Sequence, residues 1–163
     1  MVPDATSNLL DGEIHRDLTR HEARPPRRVW NINVLLVEDD AADTSLILNV
    51  LRRHQGVSSV QASDSPLLTL RQLETNHMLP DLVLLDIRMP RIDGFEFLER
   101  LRRIPNMADV PVVFLTTSRL ASDVAEAKDS SAASYVIKPE SYAELQARLD
   151  GVIKKVLSGA WNK

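Results

Sequence analysis

The sequence contains no cysteine among its 163 residues. This absence excludes disulfide bonds, thiol nucleophiles and metal sites built from cysteine thiolates. A chain without cysteine fits the reducing environment of the cytoplasm, where we expect the protein to be found.

The chain also lacks an excess of positive charge and long apolar stretches. Its formal net charge is −3 and its pI is about 5.8, which argues against a nucleic-acid partner because such proteins present a basic face. No apolar run approaches the roughly 18–20 residues that a membrane-spanning helix requires, and the N-terminus lacks the pattern of a secretory signal. We therefore expect a soluble protein with no membrane partner.

Composition divides the chain into an N-terminal extension (1–28), one domain (29–157) and a C-terminal tail (158–163). The extension carries five acids and five arginines and ends in "RPPRR", where the prolines disfavour helix. Leu10, Ile14 and Leu18 recur at helical spacing. Both a solvated tail and a short helix that docks through these three residues are compatible with this composition.

Within the domain, short apolar runs alternate with segments of helical periodicity. Ser65 with Pro66, Asp93 with Glu96, and Ser141 with Glu144 are typical of helix N-termini. The helix after Asp93 is expected to bury Phe95, Leu98 and Leu101. The predicted strands are 33–37, 58–62, 82–86, 111–116 and 133–137. Five strand–helix units with short connections predict a doubly wound α/β fold with a five-stranded parallel sheet.

Charged and hydroxyl side chains follow four of these strands. In open parallel sheets the ligand site lies beyond the carboxyl ends of the strands, so we expect these side chains to converge on one crevice. They are Glu38, Asp39 and Asp40 after the first strand, Asp86 at the end of the third, Thr116, Thr117 and Ser118 at the end of the fourth, and Lys138 after the fifth.

The acidic residues allow two interpretations. An acidic cluster before a helix by itself serves to neutralise the free N–H groups of the first turn. Combined with Asp86, however, Glu38 and Asp39 predict a cation site, because converging carboxylates repel one another unless a cation intervenes. Oxygen ligands without histidine or cysteine suit Mg²⁺ or Mn²⁺.

Lys138 and Thr116 add groups that suit a phosphate. The Lys138 ammonium can form an ion pair with the acids or bind a phosphate oxygen. The Thr116 hydroxyl can donate to an oxyanion, although threonine at a strand end is often only a good β-former. Together with a cation, these groups describe phosphoryl transfer to a carboxylate, with Asp86 as the nucleophile.

Four motifs carry a resemblance to a known family. "LLVEDD", "LVLLDIRMPRIDG", "PVVFLTTS" and "SYVIKP", in this order and spacing, resemble the receiver domain of two-component response regulators, the CheY-like fold. The resemblance covers about residues 31–157. It implies a flavodoxin-like sheet with strand order 2-1-3-4-5 and five helices.

The resemblance also implies roles for the residues at the strand ends. Asp86 would accept a phosphoryl group from a phosphohistidine of a sensor histidine kinase, and Thr116 and Lys138 would contact that group. Tyr135 matches the switch aromatic of the family, which swings inward as Thr116 moves toward the phosphate. Without the family match, Tyr135 would be interpreted as a half-buried aromatic of the fifth strand. The metal ligands would be Glu38, Asp39, Asp86 and the backbone carbonyl of Arg88.

Two further residues near the site, Thr117 and Arg88, are expected to modulate its chemistry. Thr117 stands where a small residue is usual, and it is expected to narrow access to Asp86 and to slow phosphorylation by small donors. Arg88 is long and cationic and lies two residues beyond Asp86. The hypothesis for Arg88 is that it shields the acyl phosphate from water and lengthens its lifetime.

No output domain is expected after the short C-terminus, so the signal is expected to pass through protein contacts. The "LTTS" motif followed by "SDV", and a C-terminus bearing Trp161, resemble regulators partnered with phytochrome-type kinases. Members of that group pair through the face formed by helix 4, strand 5 and helix 5. An exposed Trp161 would suit such a homodimer.

Three other classes of protein compete with the receiver. A haloacid-dehalogenase-type phosphatase needs a second acid two residues after its nucleophile, where this chain has Arg88, so turnover of an external substrate is not expected. A flavodoxin-like cofactor binder needs a phosphate cradle after the first strand, where "EDD" would repel phosphate. A phosphorylation-independent docking module would be expected to have lost some of the key residues, and all are retained.

Overall fold

The computed structural model describes residues 31–118, 120–132 and 134–161. Within them, five β-strands alternate with five α-helices. The elements are β1 (Ile32–Val37), α1 (Ala41–Arg53), β2 (Val57–Ser63), α2 (Pro66–Glu74), β3 (Leu82–Leu85), α3 (Gly94–Arg102), a 3-10 turn (Pro105–Met107), β4 (Val112–Thr116), α4 (Ala121–Asp129), β5 (Ser134–Ile137) and α5 (Tyr142–Leu157). The predicted extension over residues 1–28 lies outside the described residues.

The five strands form one parallel sheet in the order β2-β1-β3-β4-β5. This confirms the predicted α/β fold, its strand order and its five helices. β3 is the central strand, and its last residue, Leu85, pairs with Val37 of β1 and Phe114 of β4. The residue that follows Leu85 is therefore placed at the middle of the carboxyl edge of the sheet.

Alternating side chains of the central strands enter two cores, one on each face of the sheet. Val83 and Leu85 of β3 join the core beneath α2 and α3, whereas Leu82 and Leu84 join the core beneath α1 and α5. All four residues are fully buried, which explains why β3 consists of a continuous apolar run.

No helix among the described residues is long and apolar enough to cross a bilayer.

Side-chain caps begin three of the helices close to the strand ends. The carboxylates of Asp40 and Asp93 accept the N–H groups of Asp43 and Glu96, so the predicted start of α3 is confirmed. The Ser141 hydroxyl accepts the Glu144 N–H at the start of α5, as predicted. Ser65 occupies the N-cap position of α2 without a side-chain cap bond, and Pro66 begins the helix. Asp40 shows that the acidic cluster also has the capping role that its position before a helix indicated.

The core-facing residues of α3 differ from the prediction in one respect. Phe97 is fully buried, together with Leu98 and Leu101, whereas Phe95 is half-buried and lies edge-on to Phe114, with ring centroids 4.9 Å apart. Phe95 therefore packs against the core beneath α2 and α3 while staying half-buried, and Phe97 is the fully buried residue that the prediction did not include.

Trp161, which was expected to be exposed, is half-buried in the structure. It packs against the core beneath α5, and the Lys155 ammonium lies 5.5 Å from the centroid of its ring. The indole therefore covers the end of α5 rather than projecting freely from the terminus. The last two residues of the predicted tail, 162–163, lie outside the described residues.

Candidate functional site

Asp86 directly follows β3 and is only 6% exposed. Its N–H donates to the Val37 carbonyl at 3.0 Å, so its backbone continues the pairing of β3 with β1. Its Oδ2 accepts the N–H of Arg88 at 2.8 Å. Both contacts fix the carboxylate at the end of the most buried strand of the sheet.

Glu38 and Asp39 lie beside this carboxylate. One oxygen from each of Glu38, Asp39 and Asp86 lies within 4.8 Å of the other two. Glu38 is 3% exposed, and burial raises its pKa. Oxygens that share a Mg²⁺ ion are at most about 4.2 Å apart, so this cluster has nearly the spacing and the donor type that such an ion requires.

Lys138 enters the same crevice from the end of β5. Its Nζ lies 2.5 Å from Glu38 Oε2, 2.7 Å from Asp43 Oδ2 and 3.3 Å from Asp86 Oδ1. Burial acts to lower the pKa of Lys138, but its hydrogen bonds to Asp43 and Glu38 and the charges of Asp86 and Glu38 together raise this pKa. The lysine is therefore firmly cationic and offsets part of the charge of the acids.

Asp43 is a site residue that the sequence interpretation did not single out. It lies in the first turn of α1, where Asp40 caps its N–H and its own carboxylate reaches Lys138. A fourth acid three residues after the "EDD" motif was the signal that could have identified it. Because α1 begins at the carboxyl edge of the sheet, a carboxylate in its first turn points to the same crevice.

Thr116 and Thr117 end up in different environments at the end of β4. Thr116 is 1% exposed, and its Oγ1 accepts the N–H of Ser118 at 3.2 Å. Its carbonyl accepts the N–H of Lys138 at 2.8 Å, which ties the ends of β4 and β5 together. Thr117 is exposed at the rim.

The guanidinium of Arg88 reaches α4. Its Nη2 and Nε donate to Oδ1 and Oδ2 of Asp123 at 2.5 and 3.2 Å. Asp123 also accepts the Ser118 hydroxyl at 2.5 Å. Neither Asp123 nor this pairing was predicted, because no local pattern connects residues that are 35 positions apart. An acid in the first turn of α4 was the available signal.

Tyr135, on β5, reaches the same loop. Its hydroxyl donates to the Ser118 carbonyl at 2.6 Å, and its ring packs against the core beneath α2 and α3. Burial is the first cause that raises its pKa, and the charges of Asp123 and Asp86 act in the same direction. The side chain is half-buried, as an aromatic on an edge strand would be.

The sheet order, together with a crevice of acids and one lysine at the carboxyl edge, defines a CheY-like α/β domain. The chain belongs to the response regulator receiver domain family, whose model matches residues 34–150. This is the family identified by the sequence resemblance. Magnesium binding and phosphorylation are typical of this family of two-component systems.

Among curated proteins, the chain is similar to the probable methanogenesis regulatory protein FilR2 of Methanothrix harundinacea. The two are 34% identical over 134 residues, which cover 80% of this chain and 85% of FilR2. The chain spans only about half the length, from 49% to 52%, of several other curated relatives that it matches.

Two solved structures are similar in both fold and sequence. The phosphorylated cyanobacterial phytochrome response regulator RcpA has a TM-score of 0.70 and 27% identity, covering 79% of this chain and 96% of RcpA. The Mn²⁺-bound response regulator Rcp1 has a TM-score of 0.66 and 29% identity, covering 74% of this chain and 91% of Rcp1.

Proposed function

We propose that this protein is a response regulator in which Asp86 accepts a phosphoryl group from a phosphohistidine of a sensor histidine kinase, in a Mg²⁺-dependent reaction. The observation that carries the proposal is the arrangement around one buried carboxylate. Asp86 lies 3.3 Å from the Lys138 ammonium and within 4.8 Å of oxygens of Glu38 and Asp39. Family membership agrees with this assignment.

Glu38, Asp39, Asp86 and the backbone carbonyl of Arg88 are the proposed ligands of Mg²⁺ or Mn²⁺. When bound, the ion supplies positive charge that neutralises the phosphoryl oxygens during transfer. The chemistry of the donor set supports this choice, since the clustered side chains offer oxygen atoms alone. Asp39 is the exposed member and would face the entering donor.

The reaction needs one bond to form and one to break. A carboxylate oxygen of Asp86 attacks phosphorus, and the bond between phosphorus and the imidazole nitrogen breaks with its electron pair retained by the nitrogen. The product is an acyl phosphate. Lys138 is already cationic beside Asp86, and it would pair with one phosphoryl oxygen. Thr116, at the end of the neighbouring strand, would donate its hydroxyl to another.

Thr116 and Tyr135 are also the proposed switch residues. In the structure the Thr116 hydroxyl is engaged by the Ser118 N–H, and the Tyr135 hydroxyl donates to the Ser118 carbonyl. Movement of Thr116 toward a phosphoryl group would disturb the loop that holds Tyr135. Thr117, exposed at the rim, is proposed to restrict small donors, and Arg88 is proposed to modulate the lifetime of the acyl phosphate.

The signal is proposed to leave through protein contacts rather than through turnover of an external substrate. We assign residues 29–157 to the receiver, with 1–28 as an extension and 158–163 as a tail. A phytochrome-type kinase is the proposed cytoplasmic partner, supported by the similarity to RcpA. A homodimer through α4, β5 and α5 is proposed because β5 is an edge strand whose residues are only half-buried.

Phosphorylation of wild type and of Asp86→Asn tests the proposal. The protein is incubated with Mg²⁺ and phosphoramidate, and its intact mass is measured. Wild type is expected to gain one phosphoryl group, and Asp86→Asn to gain none. Asp109→Asn, at an exposed aspartate in the loop before β4, is the matched control and should label like wild type. A circular dichroism melt verifies that each variant is folded.

The alternative function is a phosphorylation-independent docking module of the same fold. Labelling that is absent from wild type with phosphoramidate and with phosphorylated histidine kinases would favour this alternative. Labelling that persists in Asp86→Asn would contradict the assignment of the acceptor residue.

A further inference from the structure

A bidentate ion pair connects the loop after β3 with the first turn of α4. Arg88 directs Nη2 and Nε to the two carboxylate oxygens of Asp123, at 2.5 and 3.2 Å. The Asp123 side chain is 4% exposed, whereas that of Arg88 is 60% exposed. The carboxylate is therefore fixed within the protein, and the guanidinium reaches it from the surface.

The buried carboxylate is saturated with donors. The Ser118 hydroxyl lies 2.5 Å from Oδ2 and the Ser122 hydroxyl 3.4 Å from Oδ1. The hydroxyl of Ser118, followed by the guanidinium of Arg88, lowers the pKa of Asp123. A buried charge is tolerated only while such partners remain, so the loss of Arg88 would leave a carboxylate with hydroxyl donors alone.

These contacts determine how α4 is attached to the site. The N-cap residue of α4, Leu120, makes no side-chain cap hydrogen bond. Asp123 instead joins the first turn of the helix to Arg88 and to Ser118. The start of α4 is thus held by the loops that follow β3 and β4, the strands beside which Asp86 and Thr116 lie.

Ser118 connects this ion pair with the proposed switch residues. Its N–H donates to Thr116 Oγ1 at 3.2 Å, and its carbonyl accepts the Tyr135 hydroxyl at 2.6 Å. A continuous set of hydrogen bonds therefore runs from Arg88 through Asp123 and Ser118 to Tyr135. In this arrangement the Thr116 hydroxyl oxygen already accepts a hydrogen bond from its own loop.

We propose that Asp123 is a positioning residue that withholds Arg88 from the phosphoryl group, so that phosphorylation transfers Arg88 from Asp123 to the acyl phosphate and releases α4. This proposal rests on the proposed function of Asp86 as phosphoacceptor. It revises the hypothesis that Arg88 acts only as a shield, because the guanidinium has a specific partner before phosphorylation.

The physical basis is competition between two anions for one cation. Arg88 lies two residues beyond Asp86, and its own N–H already contacts the Asp86 carboxylate at 2.8 Å. The phosphoryl group carries about 1.5 to 2 negative charges, more than the single charge of Asp123. Asp86 loses its own charge when it forms the acyl phosphate, so the negative charge beside Arg88 rises by about 0.5 to 1. Asp123 is buried, however, so it holds the guanidinium more strongly than an exposed acid would. Arg88 can therefore pair either with Asp123 or with the phosphoryl group, and the charge of Asp123 determines which pairing is favoured.

A double-mutant cycle with the phosphoryl mimic beryllofluoride tests this competition. Its affinity is measured with Mg²⁺ for wild type, Asp123→Asn, Arg88→Ala and the double variant. Asp123→Asn keeps the shape of the side chain but frees Arg88, so we expect the mimic to bind about tenfold more tightly, a change of about 1.4 kcal/mol. Arg88→Ala removes both the ion pair with Asp123 and the contact of Arg88 with the mimic. Because these two losses act in opposite directions, the affinity of this variant for the mimic should stay within about threefold of wild type.

The decisive comparison is the effect of Arg88→Ala in the two backgrounds. In the Asp123→Asn background the substitution should weaken mimic binding about tenfold, whereas it has little effect when Asp123 is present. The exposed ion pair between Glu99 of α3 and Arg103, the residue that follows this helix, provides a matched control cycle, which should leave mimic affinity unchanged. The Tyr135 ring resonances give a second readout and should move in unliganded Asp123→Asn.

Each outcome bears on a different proposal. Wild type that fails to bind beryllofluoride through Asp86 would overturn the proposed function, and the role of Asp123 with it. Asp86-dependent binding with additive effects of the two substitutions would overturn the role of Asp123 alone. If Asp123→Asn fails to fold, Arg88→Lys replaces it. This variant keeps the charge but loses the two-pronged contact, so it should bind the mimic more tightly than wild type, and equal or weaker binding would overturn the proposal.

Discussion

The Lys138 ammonium and the Glu38 carboxylate form an ion pair at 2.5 Å in which both side chains are at least nine-tenths buried. A cation that enters this crevice meets an acid already neutralised by a lysine. The charge of Lys138 therefore opposes cation binding, although the same charge would favour a phosphoryl group.

Lys138→Met is expected to separate these two effects. Removing the ammonium leaves the carboxylates of Glu38, Asp43 and Asp86 without their shared partner, so Mg²⁺ should bind about three- to tenfold more tightly. Phosphorylation by phosphoramidate should fall at least about tenfold, because a charge contact to the phosphoryl oxygens is lost. Calorimetric Mg²⁺ titration and intact mass measure the two quantities. Lys138→Arg keeps the positive charge, so its Mg²⁺ affinity and its phosphorylation should both change less than those of Lys138→Met. An unaltered Mg²⁺ affinity in Lys138→Met would contradict the claim that Lys138 opposes cation binding.

Gly94 is expected to tolerate no side chain. A Cβ at this position would lie 2.5 Å from the Asp86 carbonyl oxygen and 2.9 Å from the Ile87 Cα, and neither backbone atom can move without displacing the segment that holds Asp86. Gly94→Ala should lower the free energy of unfolding by about 1–3 kcal/mol, as measured by urea denaturation. At Gly151 of α5, a Cβ would meet no heavy atom within 4 Å, so Gly151→Ala should instead stabilise by about 0.5–1 kcal/mol.

Arg91 adopts a strained backbone conformation between Asp86 and α3. Its φ is 75°, and the Ile92 N–H donates to the Pro90 carbonyl at 3.0 Å, which together indicate a γ-turn of the rare form with positive φ. Arg91→Gly removes the steric penalty and should raise the free energy of unfolding by about 1 kcal/mol. Asn76 also has positive φ, at 57°, but asparagine tolerates this region, so Asn76→Gly should change stability less. Equal gains at both positions would contradict the argument from strain.

Asp150 predicts a dependence of stability on pH. Lys154 at 2.7 Å and His54 at 3.1 Å lower the pKa of this carboxyl. A lowered folded-state pKa gives stabilisation that is present above the unfolded pKa of about 3.9 and is lost as the pH falls through the folded value. Urea unfolding compares the single variant His54→Gln with the double variant that also carries Asp150→Asn. The double variant should have a lower free energy of unfolding at pH 7, and the two should be equally stable once the pH is below the folded pKa of Asp150. A difference that grows on acidification would show the opposite linkage.

The positions of the strands could be predicted because burial leaves a local record in the sequence. β3 is apolar at every position since both of its faces are covered, and the charged residue after it marks its end. The ends of parallel strands meet at one edge, so Glu38, Asp86 and Lys138 could be assigned to one crevice from the sequence alone.

The partners of those residues could not be predicted in the same way. Asp43 and Asp123 each lie in the first turn of a helix, where an acid is expected for its effect on the helix dipole alone. Their contacts with Lys138 and Arg88 depend on side-chain direction across long sequence separations. The same limit applies to Phe97, whose full burial depends on how α3 packs against the sheet.

Local stability is distributed unevenly across the sheet. Every residue of β3 is fully buried, whereas every residue of β5 is half-buried, and α4 buries only Asp123 and Ala127 among its residues. Amide hydrogens of β3 should therefore exchange only on global unfolding, and those of α4 and β5 through local openings of lower free energy. The carboxylate that would take up the phosphoryl group is thus anchored beside a strand that we expect to open last among the described elements. The groups that would respond to it lie on α4 and β5, which we expect to rearrange without unfolding of the rest of the sheet.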